Sequence, residues 1–162
     1  MDDIRLGRDD GLVSPHPAVI GEIVNDPLVN RKIRHVDLSG DVGDVRFQGL
    51  AKLTDMAYLH LYDTQHTDTL VAWLAASDSL AELHIEQSDL SDEGIKRISK
   101  IANLEVLEVE SYGDKITGAT LAELRNLPRL RSLSLTLGPT DVDFSELKRS
   151  LPNCKLTFSV GK

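Results

Sequence analysis

Cysteine, aromatic residues and long apolar runs are scarce in this chain. Cys154 is the only cysteine among 162 residues, so no intrachain disulfide can form and no thiolate metal cluster can be assembled from this chain. We therefore expect a reducing compartment. Aromatic residues make up only 4% of the sequence. Leucine alone occupies 25 positions, and this mixture suits many short, similar core sites better than one irregular core.

Basic residues are also outnumbered. The chain has 26 Asp and Glu against 18 Lys and Arg, which gives a formal net charge of -8. This sign argues against binding to nucleic acid or to an anionic membrane, and it favours a basic protein partner. No apolar run approaches the roughly 20 residues of a membrane helix, and the first residues are acidic where a secretory signal is basic. We therefore expect a cytoplasmic protein with no nucleic-acid or membrane partner.

The sequence does contain one phrase that recurs, with an apolar residue at relative positions 1, 4 and 6 and a polar turn after it. The five clear copies are Ile33, Val36, Leu38; Met56, Leu59, Leu61; Leu80, Leu83, Ile85; Leu104, Leu107, Val109; and Leu130, Leu133, Leu135. An irregular sixth copy runs through Cys154, Leu156 and Phe158. First positions are 23 to 26 residues apart, a period that indicates a solenoid.

Each copy changes from strand period to helix period. After the alternating segment 80–86, Ile95, Ile98 and Ile101 recur at helical spacing, with Ser91 as a candidate N-cap. The same pattern predicts helices near residues 47–53, 70–76, 117–127 and 143–151, and hence an α/β fold with strands on one side and helices on the other. We expect a flexible segment over 1–17, a capping helix region over 18–32 and the repeat domain over 33–162.

The copies LAELHIEQSDLSDEGIKRISKIAN and LEVLEVESYGDKITGATLAELRNLPR resemble leucine-rich repeats of the ribonuclease-inhibitor-like kind. The closing phrase LPNCKLTF is similar to the end of short bacterial proteins of that family, where Cys154 would take the place of a buried leucine. The resemblance covers roughly residues 33–158. It implies a right-handed solenoid of about five to six repeats, with a concave parallel β-sheet, convex helices and function on the exposed strand face.

Equal repeat positions on neighbouring parallel strands should form columns about 4.8 Å apart. Position 3 reads His35, Tyr58, Glu82, Val106, Ser132; position 5 reads Asp37, His60, His84, Glu108, Ser134; and position 7 reads Ser39, Tyr62, Glu86, Glu110, Thr136. We expect a non-enzymatic interaction module, adaptor or inhibitor-like, that binds a basic protein segment, with tyrosine anchors. The expected partner-binding residues are Tyr58, His60, Tyr62, Glu82, His84, Glu86, Glu108 and Glu110.

Three other interpretations remain open. The column Asp37, His60, His84, Glu108 contains zinc-compatible ligand types, which would suit a metal-binding protein or a metal-dependent hydrolase. A second interpretation is that the face is an ordinary solvated strand surface. A third is that the chain is a structural spacer domain of a larger protein. The sequence has no glycine-rich phosphate loop, nucleophile elbow or HExxH motif, so we expect no catalytic residues and no cofactor. Trp73 is expected to pack on the helix side, against the core.

Overall fold

The computed structural model describes residues 2–6, 33–39, 53–111, 116–139 and 142–160. The strands are β1 (Asp2–Leu6), β2 (Ile33–Ser39), β3 (Tyr58–Tyr62), β4 (Glu82–Glu86), β5 (Val106–Ser111), β6 (Ser132–Leu137) and β7 (Lys155–Val160). The helices are α1 (Thr67–Leu74), α2 (Asp92–Ile98), α3 (Gly118–Leu121), which a 3-10 helix over Ala122–Asn126 continues, and α4 (Ser145–Ser150). None of these helices is long and apolar enough to cross a bilayer.

The strands form one seven-stranded parallel sheet in chain order. Strands β2 to β6 pair in the register predicted from the repeat, so that His60 lies opposite Asp37 on one side and His84 on the other. Farther along the same column, Glu108 lies between His84 and Ser134. The α/β class is therefore confirmed, and the parallel sheet with its helices is compatible with an α/β solenoid.

The apolar positions of the repeat build the core. Positions 4 and 6 are fully buried in the middle strands, as at Leu59, Leu83 and Leu107. Leu70 on α1 and Ile95 on α2 belong to the same buried cluster, so the helices cover that face of the sheet. Because successive side chains of a strand point to opposite faces, positions 3, 5 and 7 lie on the other side.

Strand β1 lies within residues 1–17, for which the sequence predicts a flexible segment. The structure pairs β1 in parallel with β2, with Ile4 opposite Val36 and Leu6 opposite Leu38. Ile4 and Leu6 therefore lie in register with repeat positions 4 and 6, and their spacing of two residues was the signal available in the sequence. Residues 7–32, including the expected capping helix, lie outside the described residues, as does most of the helix expected near 47–53.

The helices agree with the sequence prediction in place more closely than in length. Helix α2 begins at Asp92, and the Ser91 side chain accepts a hydrogen bond from the Glu93 amide at 3.2 Å, which confirms the predicted N-cap. The helix predicted over 117–127 is α-helical only to Leu121 and then tightens to 3-10 geometry. Pro128 explains its end, since a residue before proline is disfavoured in the helical region.

Carboxylates link the start of one helix to the next repeat. Asp68 in the first turn of α1 accepts hydrogen bonds from both the amide and the hydroxyl of Ser91, the N-cap of α2. Asp92 in the first turn of α2 accepts bonds from the amide and hydroxyl of Thr117, both at 2.8 Å. Helix starts leave amides without intrahelical partners, and these bonds satisfy them. A Cβ at Gly94 would overlap Asp68, so only glycine permits this approach.

Leu83→Asp should unfold the protein or lower its free energy of unfolding by about 3 kcal/mol or more, because it places an unpaired carboxylate in the core. Glu82→Ala, one residue away on the opposite face of β4, should change the melting temperature little. Thermal unfolding followed by circular dichroism measures both. Equal losses in the two variants would contradict the assigned register.

Asp92→Asn should lower the melting temperature at neutral pH. Partial burial acts to raise the pKa of Asp92, but the hydrogen bonds from the Thr117 amide and hydroxyl, together with Thr120 and Lys96, hold it below the ordinary value. The stabilisation is thus complete above the unfolded pKa of about 3.9 and is lost as pH falls through the folded pKa.

The difference in melting temperature between Asp92→Asn and the unmodified protein should therefore shrink as the pH falls below about 3.9. The exposed turn residue Asp55, replaced by Asn, is the control and should show a small difference throughout. If the difference in melting temperature between Asp92→Asn and the unmodified protein stayed constant down to acidic pH, the carboxylate at this position would not be stabilising.

Candidate functional site

We define the open face as the side chains at positions 3, 5 and 7 of β2 to β5. Its members are His35, Asp37, Ser39, Tyr58, His60, Tyr62, Glu82, His84, Glu86, Val106, Glu108 and Glu110. They are half-buried except for Tyr62, which is exposed. All eight residues that the sequence predicted as partner-binding lie on this face, on three adjacent strands. The face contains five carboxylates and no lysine or arginine at these positions.

A short row of aromatic rings crosses β2, β3 and β4. The rings of His35 and Tyr58 stack with centroids 3.9 Å apart, and Tyr58 also contacts the His84 ring with centroids 5.0 Å apart. Both sides of Tyr58 are therefore occupied by imidazole rings. His35 was absent from the predicted partner-binding set, although its position beside Tyr58 in the position 3 column was readable in the sequence.

The Tyr58 hydroxyl is surrounded by acids. Burial raises the pKa of Tyr58 above its ordinary value, and the negative charges of Asp37, Glu82, Glu86 and Glu108 raise it further. The phenol consequently stays neutral, and able to donate a hydrogen bond, over a wider pH range than an exposed tyrosine.

Each histidine of the position 5 column faces a carboxylate. His84 Nδ1 lies 2.9 Å from Glu108 Oε2, a distance at which Nδ1–H donates a hydrogen bond to the carboxylate. His60 Nδ1 lies 3.4 Å from Asp37 Oδ1, and the second oxygen of Asp37 lies 3.4 Å from His35 Nε2. Along the column, the two adjacent imidazole rings thus lie between the carboxylates of Asp37 and Glu108.

The Nε2 atoms of His60 and His84 are buried and make no hydrogen bond. His60 Nε2 does lie 3.4 Å from Glu86 Oε1, but without the geometry of a hydrogen bond. For His84, a proton on Nδ1 leaves Nε2 as an unpaired acceptor rather than an unpaired donor. The His84 Nε2 lone pair is therefore buried without a donor.

The two tyrosines occupy different surroundings. Tyr62 is 41% exposed, and its nearest ring, that of His60, is tilted by 60° with centroids 6.4 Å apart. In register, Tyr62 lies between the small Ser39 on β2 and Glu86 on β4. One face of the Tyr62 ring is thus available for contact, whereas Tyr58 is held within the ring row.

The position 5 column does not converge on a metal site. Among the described residues, no group of three or more His, Cys, Asp and Glu side chains is placed to hold a metal ion. The reason lies in the pairing: Asp37 and Glu108 contact the Nδ1 atoms and lie at opposite ends of the column, away from the two buried Nε2 atoms.

The sheet changes character beyond β5. In β6 and β7 the corresponding positions carry Ser132, Ser134, Thr136, Lys155, Thr157 and Ser159. Ser134 lies between Glu108 and Thr157 in register, so its column neighbours include no histidine that could act as a base. From β2 to β7 the acids and rings at these positions are thus confined to β2 to β5, and hydroxyl groups dominate β6 and β7. On β1, Asp3 and Arg5 lie in register with His35 and Asp37.

Trp73 and Cys154 lie outside the open face, and the sequence predicts that both are covered. The sequence predicts that Trp73 packs on the helix side, but its side chain is 38% exposed, so the packing covers it only in part. Thr67, Leu70, Val71 and Leu74 already fill the core-facing side of α1. Cys154, predicted as a buried leucine substitute, is only half-buried against the core, and burial raises the pKa of its thiol.

No protein-family model matches the chain, and no curated protein is similar to it at a significant level.

We expect purified protein to contain no stoichiometric zinc. Added zinc should raise the melting temperature no more in the unmodified protein than in a His60→Ala, His84→Ala double variant, because a ligand stabilises only through preferential binding to the native state. Elemental analysis and thermal shift measure the two quantities. A zinc-dependent shift that the double variant lost would establish a metal site on this column.

Proposed function

We propose that this chain is a leucine-rich repeat solenoid of the ribonuclease-inhibitor-like kind, working in a reducing, cytoplasmic compartment as a non-enzymatic, adaptor or inhibitor-like interaction module. Its open face, concave in that architecture, binds a basic segment of a partner protein. The recurrence of the apolar phrase at 23 to 26 residues and the in-register parallel strands support the architecture.

The charge of the open face carries the functional proposal. Its five carboxylates lie on three strands: Asp37 on β2, Glu82 and Glu86 on β4, and Glu108 and Glu110 on the adjacent β5. Neighbouring strands are about 4.8 Å apart, and like charges at such distances repel by about 1 kcal/mol even in water. A cationic partner would remove this repulsion, and it would also be steered toward the face before contact.

The aromatic rings supply the second element of an interface. Binding energy in protein interfaces concentrates in a few residues, among which tyrosine is enriched, and surrounding polar contacts exclude water. Tyr62 offers an exposed ring next to Glu86, and the His35, Tyr58 and His84 rings form a preassembled layer beside it. Such a layer loses little side-chain entropy when a partner binds.

One observation favours the metal-binding alternative. Metal-ligating histidines commonly donate their other ring N–H to a carboxylate, and His84 has that arrangement with Glu108. The absence of three converging donors among the described residues argues against it, and the zinc measurement above decides between the two.

Reversing Glu86 and Glu110 to lysine should slow association with the captured partner and weaken binding. Tyr62→Ala should mainly speed dissociation, because a desolvated aromatic anchor holds the complex, and its loss commonly costs about 2 kcal/mol or more. Affinity capture followed by surface plasmon resonance with the purified partner separates the two rates. Raising the salt concentration should reproduce the effect of charge reversal, since salt screens exposed charges.

The matched control reverses two glutamates on the helix side, Glu123 and Glu146, to lysine. It changes the net charge by the same amount away from the open face. If the control abolished binding and the open-face reversal did not, the interaction surface would lie on the helices. A partner captured equally by all variants would contradict binding through the charges of the open face and would favour the spacer alternative.

A further inference from the structure

The exposed ring of Tyr62 and the carboxylate of Glu86 form a pair of adjacent groups on β3 and β4. The two residues are directly opposite in the parallel register, so their side chains leave the open face side by side. Glu86 is about one third exposed, with a side-chain accessibility of 34%. On the other side of Tyr62 lies Ser39, which is too small to cover the ring.

Tyr58 offers no such position. Its ring stacks on His35 at an angle of 20° and contacts His84 on the other side, so a ligand would have to displace an imidazole to reach it. The two tyrosines that the sequence treats alike therefore have separate roles. Tyr58 belongs to the layer, and Tyr62 is the ring available to a partner.

We propose that the partner's anchor is an arginine whose guanidinium group lies on the Tyr62 ring and pairs with the Glu86 carboxylate. This inference rests on the proposed function and specifies the chemistry of the basic segment. It concerns one position of the open face. The other acids attract lysine and arginine alike.

The preference for arginine follows from the shape of the two groups. A guanidinium is planar, stacks on an aromatic face and presents N–H groups at its edge that match both oxygens of a carboxylate. It can therefore contact Tyr62 with its face and Glu86 with its edge at once. An ammonium is a compact, strongly hydrated charge that gains less from the ring and loses more hydration on a partly buried surface.

The surroundings of the pair support the same choice. His60 Nε2 lies 3.4 Å from Glu86 Oε1 without forming a hydrogen bond, so that contact leaves the carboxylate able to accept bonds from a ligand. The carboxylates of Asp37, Glu82, Glu108 and Glu110 on neighbouring positions keep the field negative around the arriving cation.

The test uses two synthetic ten-residue peptides of equal charge, one alternating arginine with serine and one alternating lysine with serine. Fluorescence anisotropy measures the Kd of each for the full chain at low, fixed ionic strength. We expect the arginine peptide to bind about fivefold more tightly, the factor that an exposed cation–π contact of about 1 kcal/mol supplies. Tyr62→Leu should bring the ratio of the two Kd values close to one.

Trp73→Leu is the matched control. Trp73 is exposed to nearly the same extent as Tyr62, 38% against 41%, and lies on α1 away from the open face. It should leave the ratio unchanged. Glu86→Gln should weaken the binding of both peptides and bring the ratio of their Kd values closer to one. Glu82→Gln should weaken the binding of both peptides without changing that ratio, because only Glu86 adjoins the Tyr62 ring in register.

Each outcome has a separate meaning. If both peptides bind equally well to the unmodified protein and the Glu86→Lys, Glu110→Lys variant binds neither, the arginine inference is wrong and the proposed function stands. If neither peptide binds the unmodified protein, the arginine inference and the proposed function are both wrong. If Tyr62→Leu keeps the fivefold ratio, or Trp73→Leu removes it, the guanidinium site is not at Tyr62.

Discussion

Parallel pairing of the strands without slippage is the constraint on which the other features depend. Residues at the same repeat position lie opposite one another from β2 to β6. Leucine at position 4 therefore always meets apolar neighbours in the core, and the hydrogen-bonded ladder holds side chains of the open face at fixed intervals of about 4.8 Å. A slip of one residue would exchange the two faces, placing Glu82 inside and Leu83 outside. Burial of leucine and grouping of the acids are thus two results of one register.

The acids of the open face are closely spaced, and contacts with histidine side chains offset part of the repulsion between them. The carboxylates of Asp37 and Glu108 flank the two histidines of position 5. The His35, Tyr58 and His84 rings contact one another in a row. The acids nearest to a histidine gain a neighbouring donor, whereas Tyr62 and its neighbour Glu86 remain accessible. The open face therefore has two parts. In one part the side chains contact one another, and in the other they are accessible to a ligand. The pattern of charges does not distinguish these two parts. The distinction depends on which aromatic rings contact each other.

The periodic part of this structure could be predicted from the sequence, and the aperiodic part could not. Positions 4 and 6 are buried as their spacing indicates, and the columns follow from the repeat length. Strand β1 was missed because two apolar residues, Ile4 and Leu6, are too short a pattern to stand out. The partial exposure of Trp73 was missed because helical spacing identifies the core stripe but not which of its flanking residues are covered. The difference between Tyr58 and Tyr62 depends on ring orientation, which no repeat pattern encodes.

The bonds from Asp68 to Ser91 and from Asp92 to Thr117 have a consequence for how such a chain can change over time. The starts of α2 and α3 take their acceptors from the preceding repeat, whereas the amides of His66 and Thr67 at the start of α1 donate to Asp89 of the following repeat. Gly94 supplies the space that Asp68 needs. Deletion of the repeat that contains α2 would bring Asp68 to the start of α3, where Thr117 offers a hydroxyl but Thr120 occupies the place of Gly94. The compatibility of two neighbouring repeats therefore depends on the residues on both sides of their junction.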